Sequence, residues 1–386
     1  MSKESIEHYY IHWPFCKNKC HYCDFVAFEK HEELINAYHV TLLSEIKTFF
    51  QQNPEQSKKQ KTLFWGGGTP SLYPLSLLKE TTELLFSHLD RASVQEMTIE
   101  VNPSGVTHEM LATWKTLGFN RLSVGVQILN DAVLHALNRK QTTHDVLTLF
   151  DKIFMYQTNV SVDLIIGLPG MTEKEWWKTV HTVLQWPIKH ISIYFLTIHE
   201  NTPLAHRITR KELAAASDDE MVHLYQETIA LLARHGIMQY EISNFAVPGY
   251  ESIHNYAYWQ RRAYKGFGLG AASLYDEQRF VNQKSLTAYL RQWQEGITEQ
   301  NGKAAPFCEK ITDEQNRLER YMLGLRQTNG IPLDQLLYRL DLDKQKEMHH
   351  SLSWLEKEGF LIIDHDMVKL TPRGMVYENE IVTKLY

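Results

Sequence analysis

Short runs of apolar, β-branched and aromatic residues recur along this chain between longer stretches with helical spacing. The runs cover His8 to Ile11, Thr62 to Trp65, Met97 to Val101, Arg121 to Gln127, Asn159 to Ile166 and His190 to Leu196. Each has the length and composition of a strand. Between them, Glu32 to Phe50, Leu75 to His88 and Glu173 to Leu184 repeat apolar residues at the period of one helix face. Thr172 and Glu175 have the form of a capping box, which marks a helix start. Strand and helix alternating through six units predict an α/β protein with a parallel sheet, and specifically an incomplete (β/α)6 relative of the eight-fold barrel. Functional groups in such folds gather at the carboxyl ends of strands. The unusual residues fall there: a cysteine cluster after the first strand, GGGTPS after the second, EVNP after the third, Gln127 after the fourth and GLPG after the fifth.

Beyond Leu204 the pattern changes. A long helix opens at Ser217-Asp218-Asp219-Glu220 and runs towards His235, followed by aromatic- and glycine-dense segments, YEISNFAVPGY and HNYAYWQRRAYKGFGLGAAS. A polar stretch at Asn301 to Pro306 reads as a linker. After it come a capping box at Thr312 to Gln315, helices through Leu355, and FLIIDHDMVKLTPRG, which reads as a hairpin and a Pro-started helix. The expected division is a core at 1–204, a middle region at 205–305 extending it, and a small carboxyl-terminal helical, winged-helix-like domain at 306–386.

Composition narrows the possibilities. Hydrophobic residues make up 43% and charged residues 22% of the 386, the balance of a globular protein, and no run of about 18 apolar residues offers a membrane span. The opening MSKESIEHYY lacks the apolar core of a signal peptide, so the expected compartment is the cytoplasm. A net charge of −6 argues against nucleic acid, and from Pro306 onward eleven Lys/Arg face fourteen Asp/Glu, which disfavours DNA binding by the terminal domain. The basic run Lys58-Lys59-Gln60-Lys61 reads as a solvated loop.

Three of the four cysteines, Cys16, Cys20 and Cys23, stand on a C-x3-C-x2-C spacing. In a reducing compartment such clusters mean metal or redox chemistry more often than disulfides. Three thiolates on two short spacers can converge on an iron–sulfur cluster that keeps one iron open. A structural zinc site would need a fourth ligand, and His12 and His21 are near in sequence. Cys308 lies far off and is expected to be a buried small side chain.

With Tyr22 just before its last cysteine, this loop resembles the signature of the radical S-adenosylmethionine enzymes. The resemblance implies a [4Fe-4S] cluster on Cys16, Cys20 and Cys23. It also implies S-adenosylmethionine chelated to the open iron and cleaved to a 5′-deoxyadenosyl radical, with an external electron donor. It further implies that Gly67, Gly68 and Thr69 of GGGTPS hold the methionyl amine and that Tyr10 and Tyr22 lie beside the cluster. Glu100 and Gln127 would face the ribose or methionyl portions, and Arg139 and Asp163 would line the cofactor site.

The likeness extends over almost the whole chain. YIHWPFCKNKCHYCDF, FWGGGTPSLY, IEVNPSG, RLSVGVQ, VDLIIGLPG, HISIYFLTIHENTPL, YEISNFA and HNYAYW follow in order the pattern of the oxygen-independent coproporphyrinogen III oxidase family. One branch of that family is the coproporphyrinogen III dehydrogenases, which decarboxylate two propionates to vinyl groups. The other is the HemW-type haem chaperones, which bind haem and hand it to acceptor proteins. The dehydrogenase motif continues to a further cysteine where this chain has Phe25, and the dehydrogenases carry a substantial segment ahead of the cluster where only fifteen residues precede Cys16. The resemblance therefore implies the chaperone branch, with a possible homodimer and acceptors the residues do not name. That branch has an H-N-x-x-Y-W sequence linked to haem, matched by His254, Asn255, Tyr258 and Trp259, and a neutral imidazole is a good axial ligand for haem iron. Arg207, Arg261, Arg262 and Lys265 are candidates for pairing with propionates. Two departures stand out: Ala272 replaces a common histidine, and Asn138-Arg139-Lys140 replaces a more usual Gly-Arg.

Overall fold

The computed structural model describes residues 4–54, 59–294 and 307–386. The six expected strands all form: β1 (His8–Trp13), β2 (Lys61–Gly67), β3 (Val94–Val101), β4 (Arg121–Gln127), β5 (Val160–Ile166) and β6 (His190–Phe195). They pair in parallel in that order. The connections include α1 (Ile35–Gln52), α2 (Leu75–Phe86), α3 (His108–Leu117), α4 (Thr143–Ile153) and α5 (Glu173–Val183). Caps explain where several begin. Thr142 with Asp145 and Thr172 with Glu175 form reciprocal capping boxes, and Thr107 accepts from the Met110 amide.

Helices on the sheet make the strands apolar on alternate faces and beyond: Ile99, Val124, Val126, Val162 and Ile193 are buried. The sheet stays open. Instead of closing after β6 it grows past β1, where β7 (Tyr264–Phe267) pairs in parallel and β8 (Ala272–Tyr275) and β9 (Gln278–Val281) follow antiparallel.

The chain forms two units, Met1–Met221 with Ala263–Glu309, and Val222–Arg262 with Lys310–Tyr386. The middle region expected at 205–305 is thus shared between them. In the second unit, a short hairpin at Met238–Gln239 and Asn244–Ala246 precedes a helix at Ile253–Trp259. The Thr312 capping box opens the helix Asp313–Leu325, and the expected terminal hairpin pairs Leu361–Asp364 with Met367–Leu370 before the Pro-started helix Pro372–Val376. Tyr321, Leu325, Leu336, Leu352, Leu361 and Val368 centre its own apolar core.

Two expectations need correction. Lys61 is not part of a solvated loop: it opens β2, is buried, and donates from Nζ to the Lys59 carbonyl at 3.0 Å and Ser93 Oγ at 3.3 Å. Cys308 is exposed, on the strand Phe307–Lys310, because that strand is solvent-facing. The linker expected at Asn301 to Pro306 lies outside the described residues.

Candidate metal and cofactor site

The cysteine loop leaves β1 and is tied down on several sides by backbone. Phe15–Cys16 pairs with Phe28–Glu29, the Cys23 amide donates to the Cys20 carbonyl at 3.1 Å, and the His21 amide donates to the Leu137 carbonyl at 2.9 Å. His12 acts as a strut. Its Nε2 lies 2.8 Å from the Val26 carbonyl, which can only accept, so Nε2 carries the proton and Nδ1 accepts from the Tyr10 hydroxyl at 3.0 Å. Burial holds this ring neutral, its pKa pushed down to about 4. His21 accepts at Nδ1 from Arg207 at 3.3 Å. Both histidines considered as a fourth zinc ligand are therefore engaged in holding the loop.

The glycine run after β2 is shaped to this loop. A Cβ on Gly68 would stand 2.9 Å from Cys16 Sγ and from the Pro14 carbonyl carbon, and one on Gly67, which has φ +116°, would stand 2.6 Å from the His12 ring. Only glycine permits that approach. The amides here are spent internally: Gly67 donates to Glu100 at 3.2 Å, Gly68 to the Trp13 carbonyl at 2.7 Å and Thr69 to the Phe15 carbonyl at 3.1 Å.

Cys16, Cys20 and Cys23 are all half-buried and line one cavity of about 430 Å³, together with Tyr22, Gly67, Gly68, Thr69, Glu100, Gln127, Arg139 and Asp163. The structure thus brings eleven of the thirteen predicted site residues to one place. Burial pushes the Cys16 thiol up to about 11, against a hydrogen bond from the Thr69 hydroxyl at 3.2 Å, and Cys23 is also raised. Thiols so placed ionise only against added positive charge, which a bound metal centre supplies. Among the described residues no three His, Cys, Asp or Glu side chains converge closely enough for a single metal ion. Three soft donors spread around one cavity fit a polynuclear iron–sulfur cluster better than zinc.

The rest of the lining is acidic with one buried cation. Glu100 is raised to about 8, by desolvation first and then by the Asp163 charge. Asp163 is raised by burial, though Ser192 and Ser123 hydrogen-bond to it, the latter at 2.9 Å. Arg139 reaches from the segment after β4 to the Gly125 carbonyl at 2.7 Å, the Tyr22 hydroxyl at 3.4 Å and Cys20 Sγ at 3.7 Å. Gly125 makes room, since a Cβ there would lie 2.8 Å from that guanidinium. Gln127 has φ +66° at a register shift in the β4 and β5 pairing, a strained backbone of the kind found where a side chain is re-aimed. Asn138, φ +58°, lies in the left-handed region that favours glycine, and its side chain donates to the Lys19 carbonyl at 2.9 Å.

Two predicted residues do not line the cavity. Tyr10 supports His12. His254 belongs to the second unit, where it is fully buried with Nε2 2.9 Å from the Tyr258 hydroxyl. The surrounding motif is built onto an ion pair whose carboxylate is buried: Glu241 accepts from the half-buried Arg326 at Nε, 3.0 Å, and Nη2, 2.9 Å, and the Arg326 guanidinium lies 4.1 Å above the Trp259 ring. Three of the propionate candidates are likewise engaged, Lys265 with Glu45, Arg261 with Glu319 and Arg207 with Glu212. Ser123, Gly125 and Ser192 escaped sequence reasoning, because strand residues without a motif show their role only when neighbouring strands are aligned.

Comparison with known proteins agrees with this geometry. Residues 10–183 match the model of the radical SAM superfamily and residues 311–377 that of the HemN C-terminal domain. The chain is 31% identical to "Heme chaperone HemW" of Bacillus subtilis (strain 168), covering 96% of this chain and 97% of that protein. It is 32% identical to the protein of that name from Synechocystis sp., covering 98% and 95%. Among solved structures, coproporphyrinogen III oxidase (HemN) from Escherichia coli superposes with a TM-score of 0.83 at 23% identity over 99% of this chain and 90% of that one, which establishes the shared fold. A cysteine loop cradled by glycines on an open parallel sheet, with these near full-length relatives, means that the chain belongs to the HemW family of the radical S-adenosylmethionine superfamily.

Proposed function

We propose that this protein is a haem chaperone, which binds haem and passes it to acceptor proteins. Cys16, Cys20 and Cys23 would hold a [4Fe-4S] cluster, and Gly67, Gly68, Thr69, Glu100, Gln127, Arg139 and Asp163 would surround S-adenosylmethionine. The observation that carries the chaperone reading over coproporphyrinogen III dehydrogenase is Phe25. It stands 63% exposed on the cavity lining, where the dehydrogenase motif has its further cysteine. The curated relatives named heme chaperone, matched over nearly their whole length, support the same choice.

When bound, the cluster supplies an open iron for the amino acid part of the cofactor and an electron for cleavage of its C–S bond. The chain's own residues do the rest. The Thr69 hydroxyl hydrogen-bonds Cys16 Sγ, which favours its thiolate, and Arg139 donates to Cys20 Sγ. Glu100 keeps a proton near neutral pH until a ligand that donates to it or carries positive charge draws the carboxyl into its ionised form. The carbonyl face of the glycine run would accept from the methionyl amine, since its amides are already engaged. His254, assigned to haem by resemblance, lies fully buried against the Tyr258 hydroxyl. The working setting is the cytoplasm, with an electron donor, haem acceptors and a homodimer as partners.

The test is an anaerobic assay of cluster-reconstituted protein with coproporphyrinogen III, S-adenosylmethionine and reductant, beside a haem titration. Stoichiometric haem binding without protoporphyrinogen is the expected result. Repeated turnover to protoporphyrinogen would make this the dehydrogenase.

A further inference from the structure

We infer that haem docks on the rim of the cluster cavity with His199 as an iron ligand. This deepens the haem-chaperone reading and rests on it. His199 lines the cavity with its imidazole 43% exposed. Nε2 lies 3.3 Å from an Asp24 carboxylate oxygen. A proton carried on Nε2, beside that carboxylate, would leave the ring's lone pair at Nδ1. A carboxylate behind an imidazole is the arrangement that orients a metal-bound histidine and raises its basicity. His254, by contrast, is fully buried and its Nε2 faces the Tyr258 hydroxyl.

The surface around His199 suits a flat apolar macrocycle. Phe25 and Tyr194 line the same cavity and are 63% and 41% exposed, and Ile198 beside His199 is 39% exposed. Exposed aromatic surface gathered at a cavity mouth marks a binding site. Lys19, also on the lining, is held at the rim by donating from Nζ to the Phe25 carbonyl at 2.9 Å, which offers a cation to a propionate. A cavity of about 430 Å³ that holds a cluster and S-adenosylmethionine would leave a macrocycle its mouth to lie across.

The experiment titrates ferric haem into the full-length protein and its variants, following the Soret band and the spin state by electron paramagnetic resonance. His199→Ala is expected to weaken binding more than about tenfold and to shift the Soret band, with free imidazole restoring the band position. Asp24→Asn should cost up to about tenfold by loosening the ring. Phe25→Ser should weaken binding while leaving the spin state unchanged. His254→Ala should keep both band position and spin state, and all four variants should reconstitute the cluster absorption. An unchanged titration for His199→Ala, or a shifted Soret band in His254→Ala alone, overturns the assignment to His199 and leaves the haem-chaperone reading standing. Absence of stoichiometric binding by the unaltered protein overturns both.

Discussion

The cysteine loop and the HNYAYW segment carry equally plain sequence motifs, yet the structure treats them differently. Around the loop, three half-buried thiols, a carboxyl whose pKa burial raises and a buried guanidinium face a common cavity. Around HNYAYW, most polar groups are closed on one another: His254 with Tyr258, Arg326 with Glu241 and over Trp259, and Gln327 with the Trp259 carbonyl, with the buried Trp259 Nε1 left without a partner among the described residues. A motif can mark chemistry or a knot that holds a unit together. The distinction lies in whether its polar atoms have been left for a ligand, since a buried polar group is paired unless something else is to pair it.

The largest expected effect tests the first half of that contrast. Replacing Cys16, Cys20 or Cys23 with Ala should abolish the visible absorption of the reconstituted cluster, whereas Cys308→Ala, at an exposed strand position, should leave it intact. Loss of the cluster in the Cys308 variant would overturn the three-ligand assignment.

The second half is tested by Glu241→Gln, which strands the Arg326 guanidinium over Trp259. A loss of about 2 kcal/mol in urea unfolding is expected, with cluster absorption retained, because the buried Glu241 loses its charge-assisted bonds while the half-buried Arg326 keeps part of its hydration. An unchanged unfolding curve would show that the pair is not what holds this motif.

The smallest effect concerns the proton on Glu100. Its folded pKa of about 8 lies above its ordinary 4.5, so the folded state binds the extra proton and stability should fall as pH rises between those values. Glu100→Gln should flatten that decline when urea midpoints are compared across the window. A decline that persists in the variant would assign the proton to Asp163, whose carboxyl is raised beside it.

Much of this was written locally. Strand-length apolar runs, helix periods and Thr-x-x-Glu or Thr-x-x-Gln boxes involve residues within a turn or two of one another, and their physics is complete in a short segment. The three cysteines and the glycines are also legible, because their spacing and lack of a Cβ are properties of the chain itself. What only the tertiary structure decided is whatever depends on partners far along the chain. Lys61 is basic but buried, because Ser93 and the turn at Lys59 accept its protons. Asn138 can replace glycine because its φ of +58° is tolerated there and Lys19 offers a carbonyl. His12 and His21 became struts, His254 a buried partner of Tyr258, and His199 an exposed imidazole at a cavity mouth. A histidine looks alike in every sequence, and its role is set by what desolvates it and what meets its two nitrogens, neither of which exists until the strands are brought side by side.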